Sequence, residues 1–194
     1  MEKLKYMDPE SAIRDLRAKF QLPREHYKKS ERDQDAEIQK RKEFHILINY
    51  LETHDPCIKY PIEITHCGGK EGFPDFLFVT DNVPRFIEIS GITDQCSQVS
   101  FQNCKETEVL SVMGEVDLTP DVKKVVEKKN KKIQSYKNAT GLQRSTLVLY
   151  YDKLASFYFG APGDVLNISE IKSSFDETIL LVPVYETDET YIKL

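Results

Sequence analysis

The chain has 194 residues, 40% of them hydrophobic and 30% charged, with a formal net charge of −5. That length is enough for one good core, and the balance of apolar and charged residues is that of a globular domain. No apolar run is long enough to cross a membrane, Met1 to Phe20 is too charged for a signal peptide, and Cys57, Cys67, Cys96 and Cys104 lack the CxxC or CxxH spacing of a structural zinc site.

Asp8, Pro9, Glu10 and Ser11 read as a helix start, with an N-cap aspartate and proline at the first helical position, and Pro23 closes that helix. Residues 24–43 mix both charge signs densely; Phe44, Leu47, Ile48 and Leu51 then make one apolar stripe, which predicts a helix over 34–53. Strands are predicted over 58–65, 75–80 and 84–90, the last two joined as a hairpin through Asp81, Asn82, Val83 and Pro84. Residues 91–119 are polar and longer than most internal connections, and they read as an insertion. Thr119, Pro120 and Asp121 start a helix over 120–138 whose Val122, Val126, Ile133 and Tyr136 share a face. Strands over 145–151, 154–159 and 178–185, a short helix near 169–175 and an acidic tail complete the chain. This order implies one domain over 1–194, of the α/β or α+β class, built around a single sheet.

Two carboxylates occupy unfavourable places. Asp75 follows Pro74 at a strand start, and Glu88 is walled by Phe86, Ile87 and Ile89, where a charge without a cation or donor is costly to desolvate. A bound divalent cation meets that need; a buried structural ion pair is the competing explanation for either residue. Charge is also unevenly placed, with thirteen acids and four bases over 52–122 against nine bases and two acids over 123–153. An acidic centre beside a basic helix suits metal ions on one wall and phosphates on the other, against the plainer reading of a solvated lysine face.

Asp75 and Glu88, 13 residues apart on two strands, match the metal-binding half of the PD-(D/E)xK nuclease pattern, with Ser90 where the usual strand lysine would stand. The segments from Arg85 to Ile89 and from Glu127 to Lys131 resemble the cap-snatching endonucleases of segmented negative-strand RNA viruses, a family that includes the influenza and bunyavirus polymerases. In that family the catalytic lysine has moved to the helix after the strand. The resemblance covers about residues 35–151, and His45 and Glu63, 18 residues apart, fall where the family places a metal-binding histidine and an acidic ligand. His54, at a helix end, and His66, beyond the strand carrying Glu63, fit that pattern less well.

The resemblance implies a PD-(D/E)xK fold, a central mixed sheet flanked by helices, with Lys128 catalytic alongside Asp75 and Glu88. It implies metal ligation by His45, Glu63, Asp75, Glu88 and the backbone carbonyl of Ile89, and RNA contacts from Lys131, Lys124 and Lys132. A helical wheel sets Lys132 nearer than Lys128 to the apolar face, so both stay open as the catalytic lysine. The implied cofactor is a pair of Mn2+ ions, with Mg2+ weaker. The implied substrate is capped host mRNA, cut as single-stranded RNA to prime viral transcription. The remainder of a viral polymerase is the implied partner, in the host cell cytoplasm and without a membrane, the isolated domain being monomeric. Two departures from the family pattern stand out: the stretch between Glu88 and the lysine helix is longer than in the influenza and hantavirus relatives, and Glu63 lies unusually close to Asp75; they mark either another branch, nairovirus-like, or a misplaced ligand. Two alternatives stand beside this reading. One is a cellular or phage PD-(D/E)xK DNase, which shares Asp75 and Glu88 without requiring His45; the other is a catalytically inactive nucleic-acid- or protein-binding module of the same fold.

Overall fold

The computed structural model describes residues 3–20, 36–53, 58–68, 70–92, 119–151, 166–181 and 191–194. Among the described residues seven strands form one mixed sheet, and each lies beside its neighbour in sequence. β1 (Lys3–Tyr6), β2 (Ile62–His66), β3 (Phe76–Thr80) and β4 (Val83–Ile92) run successively antiparallel. β5 (Ser145–Tyr151) and β6 (Glu177–Leu181) continue parallel to β4, and β7 (Tyr191–Lys193) closes the sheet antiparallel to β6. The β3–β4 hairpin turns on Asp81 and Asn82, both at positive φ (52° and 58°). Two successive left-handed residues make the turn that matches strand twist, and Asp and Asn tolerate that conformation better than other side chains.

α1 (Pro9–Phe20) starts as its sequence dictates, with the Ser11 N–H donating to Asp8 Oδ1 at 2.8 Å. It packs with α2 (Ala36–Thr53) on one face of the sheet: Leu16, Phe20, Phe44, Leu47 and Leu51 close over Ile62, Ile64, Phe76, Phe78 and Ile87. Phe20 stacks on Phe44 with ring centroids 3.6 Å apart. The other face is covered by α3 (Thr119–Asn130) and α4 (Ile133–Thr140), whose Val122, Val126 and Tyr136 pack against Phe86, Leu147, Leu149 and Leu180. Each such buried side chain contributes on the order of 1.5–3 kcal/mol. That packing places α3, a lysine-rich helix that exposes Lys124 and Lys128 to solvent.

The sheet is therefore mixed and flanked by helices, as expected from the sequence. Several elements differ in detail. β1 was not anticipated; its four residues make too short a pattern to read alone, and pairing with β2 creates it. The helix expected over 120–138 is interrupted at Lys131 and Lys132, and its second part ends at Gly141, whose φ of 71° allows its N–H to cap the Lys137 carbonyl at 2.9 Å. Near 169–175 only a 3-10 turn forms, over Ile168–Glu170. The expected insertion lies almost wholly outside the described residues, as do the strand expected at 154–159 and the end of the one expected at 178–185. Among the described residues no helix is long and apolar enough to cross a membrane.

Candidate active site

Asp75 and Glu88 meet at one end of the β3–β4 ladder. Phe76 pairs with Ile87, so the antiparallel register sets Asp75 opposite Glu88 one step further along. Asp75 lies just before β3, and its Oδ2 accepts the Ile89 N–H at 2.7 Å, while its backbone carbonyl accepts the Cys67 N–H at 2.7 Å. Burial, then Glu88 and then Glu43, hold the Asp75 carboxyl well above the usual carboxylate range; the Ile89 N–H and Lys129 act in the opposite sense. Because the N–H and C=O of one strand residue point to the same side, the Ile89 carbonyl also faces the Asp75 side of β4.

Glu88 is 3% exposed. Two donors converge on its Oε1: Lys129 Nζ, in a very short ion-paired contact, and the Tyr136 hydroxyl at 2.9 Å. Its other oxygen, Oε2, is buried with no hydrogen-bond partner. An orphaned carboxylate oxygen beside a second buried carboxyl group is an arrangement that water-free protein does not favour and a divalent cation satisfies.

A third carboxylate comes from α2. Glu43 is 7% exposed; its Oε1 accepts from Gln39 Nε2 at 2.8 Å, and its Oε2 lies 2.6 Å from His66 Nε2. The His66 ring packs between Phe44 and Phe76, at centroid distances of 5.4 and 5.1 Å. Gly68 completes this wall, because a Cβ there would stand 2.5 Å from His66 Nε2 and 2.6 Å from Glu43 Oε2. Glu43 acts electrostatically on Asp75, so the histidine and acid pair belongs to the same neighbourhood. Among the described residues no three His, Cys, Asp or Glu side chains already converge as a coordination shell. What fits a cation is the Asp75 and Glu88 pair with its unpartnered oxygen; Glu43 and His66 are engaged with each other.

The structure brings together Asp75, Glu88 and Ile89 of the expected site residues, and places the others elsewhere. His45 stands two positions after Glu43, about 200° around the helix. Its electrostatic neighbours are Arg17 and Glu52, and burial, followed by Arg17, lowers its pKa. Glu63 lies on β2 four residues along from the level of Asp75, on the order of 13 Å at strand spacing. There it is held by Lys3 at 2.6 Å and Lys5 at 3.5 Å, which lower its pKa, and it borders a recess of about 250 Å³ with Thr65, Leu77 and Arg85. β1 supplies both lysines, so an element invisible in the sequence pattern redirected this acid. Lys128 is exposed, as are Lys124, Lys131 and Lys132, whereas Lys129 turns inward to Glu88. The signal for Lys129 was present: it follows Val122 by seven residues and Val126 by three, squarely on the apolar stripe. For Glu43 and His66 no comparable signal existed, because only the folded register brings α2 against the end of β2.

Comparison with protein families, with curated proteins and with solved structures gave no match. Fold and site together define a mixed α/β domain carrying a buried carboxylate pair, a lysine bound to one member of it, and exposed lysines on the adjoining helix.

Proposed function

We propose that this domain is a divalent-cation-dependent phosphodiester hydrolase acting on single-stranded RNA. The observation that carries the reading is Glu88: buried, opposite Asp75, held through one oxygen by Lys129 and bare at the other. Mn2+ is the proposed ion, held by Asp75, Glu88 Oε2 and the Ile89 carbonyl, with Glu43 and His66 available if their mutual contact opens to admit a second ion. When bound, the metal would polarise the phosphate and lower the pKa of a water. Asp75 and Glu88 would fix where the ion sits, and Lys129 would offer an ammonium to the charge that develops on the phosphate oxygens, a contribution on the order of 10²-fold for a preorganised donor. Lys124, Lys128, Lys131 and Lys132 form a basic surface along α3 and its junction with α4, suited to the RNA backbone. The resemblance to cap-snatching endonucleases extends the proposal to capped host mRNA as substrate, a viral polymerase as the larger assembly and the host cytoplasm as the setting.

A second reading has its own support. The same Lys129–Glu88 pair, together with the Tyr136 hydroxyl, is what a purely structural buried ion pair would look like in a non-catalytic binding module. Incubation of unstructured RNA with the purified protein separates the two. Manganese-dependent cleavage that is absent in Asp75→Asn supports the hydrolase, and duplex DNA cut in preference to RNA would indicate a DNase. RNA and duplex DNA both left intact at every metal concentration, in a protein that folds, would sink both nuclease readings.

A further inference from the structure

Tyr136 is not explained by packing alone. Its ring makes an edge contact with Phe86, centroids 5.9 Å apart, and it is 3% exposed, yet it carries a hydroxyl into this apolar layer and spends it on Glu88 Oε1. Phenylalanine would fill the same space without a polar atom to satisfy. The hydroxyl and Lys129 Nζ both arrive at Oε1, and neither reaches Oε2. A carboxylate held at one oxygen keeps its other oxygen in a fixed direction, whereas one without anchors turns about its terminal bond, which has a broad torsional preference. Lys129 is a poor sole anchor, since its four-carbon stem is flexible and its ammonium is the group proposed above to serve the phosphate. Tyr136 has two torsions, both restrained by the packing of α4 on the sheet.

We propose that Tyr136 is a positioning residue that fixes Glu88 as a one-oxygen metal ligand, Oε1 anchored by the phenol and Oε2 presented to the cation. The proposal rests on the metal-site reading and adds which oxygen binds and what holds it there. It also divides the labour at Glu88. The phenol stays on Oε1 throughout, so Lys129 is free to leave for the phosphate without releasing the ligand.

The test is a manganese titration read by thermal shift, on wild type, Tyr136→Phe and Lys129→Met. Tyr136→Phe is expected to raise the Mn2+ concentration for half the maximal shift about tenfold or more, the scale on which groups that orient metal ligands act. A merely structural role would lower the metal-free melting temperature and leave that concentration unmoved, and this outcome would overturn the proposal. Lys129→Met supplies a reading that does not depend on Tyr136→Phe folding. It is expected to bind Mn2+ at least as tightly as wild type, because Tyr136 still holds Oε1 and a repelling ammonium has gone. Weaker binding by Lys129→Met would make the lysine the anchor and overturn the assignment to Tyr136. A wild type with no manganese shift at all would instead defeat the metal site itself.

Discussion

Replacing Lys129 by methionine keeps an apolar stem of matching length and removes the ammonium with its charge and its hydrogen bond, which makes it the sharpest probe of the buried pair. The Glu88 side chain is 4% exposed and that of Lys129 14%, so little solvent is present to take the place of the ammonium. Tyr136 remains as a neutral donor to the same oxygen, while Asp75 opposite keeps its like-charge pressure on the site. Breaking a buried pair by removing one partner costs about 3–5 kcal/mol, chiefly because the surviving charge is left uncompensated. For a chain of this size each kcal/mol moves the melting temperature by about 2–4 °C, so the expected fall is roughly 6–20 °C in metal-free buffer. Lys128→Met, one residue away but exposed, changes stability by about 0.5 kcal/mol or less. Chemical denaturation of the two variants beside wild type measures both quantities. Equal, small effects would refute the placement of Lys129 against Glu88, and a large loss in Lys128→Met alone would put the wrong face of α3 toward the sheet.

Asp75→Asn should stabilise the metal-free protein at neutral pH and abolish its response to Mn2+. The Asp75 carboxyl is raised by burial and by Glu88, so its contribution to stability is fully present at acid pH, below its unfolded value of about 3.9, and is lost as pH rises through the folded value. Metal-free wild type should thus weaken from acid toward neutral pH and Asp75→Asn should lack this component; parallel stability curves would contradict it. His45→Ala should leave the Mn2+ half-saturation unchanged and remove a different dependence. Because burial and Arg17 lower the His45 pKa, its contribution is present above about pH 6.5 and is lost as pH falls through the folded value. A weakened manganese response in His45→Ala would place this histidine in the metal shell after all. Gly68→Ala should cost about 1–3 kcal/mol, because its new methyl must displace His66 and Glu43 from their contact; an unchanged denaturation midpoint would show that this wall yields freely.

How far the sequence reached depended on whether the signal was local. Asp8 and Pro9 at a helix start, the Asp81 and Asn82 turn, and the apolar runs around Phe76 and Phe86 are all decided within a few residues, and the corresponding elements formed where expected. Asp75 and Glu88 stood out because a charge between apolar strand residues is anomalous in any fold, and hairpin register alone sets them opposite each other. The rest of the site is assembled from afar. Glu43 on α2 reaches His66, 23 positions further along the chain, and Lys129 reaches Glu88, 41 positions back. Spacing puts Lys129 on the apolar stripe without identifying Glu88 as its partner, and it says nothing of Glu43 and His66; His45, two residues from Glu43, and Lys128, beside Lys129, are the residues the family resemblance implies, and they lie on other faces of the same helices. Glu63 was misdirected by a strand too short to see: Lys3 and Lys5 on β1 supply the partners that a metal was expected to provide.

Crystals of the wild-type protein grown with Mn2+ and measured for anomalous scattering would test the cation site most directly. The expected result is a peak bonded to the Asp75 carboxylate and Glu88 Oε2, with Glu88 Oε1 still on the Tyr136 hydroxyl. A peak at His45 or Glu63, or an intact Lys129–Glu88 pair with no peak beside it at saturating Mn2+, would contradict the site and leave the ion pair as structure alone.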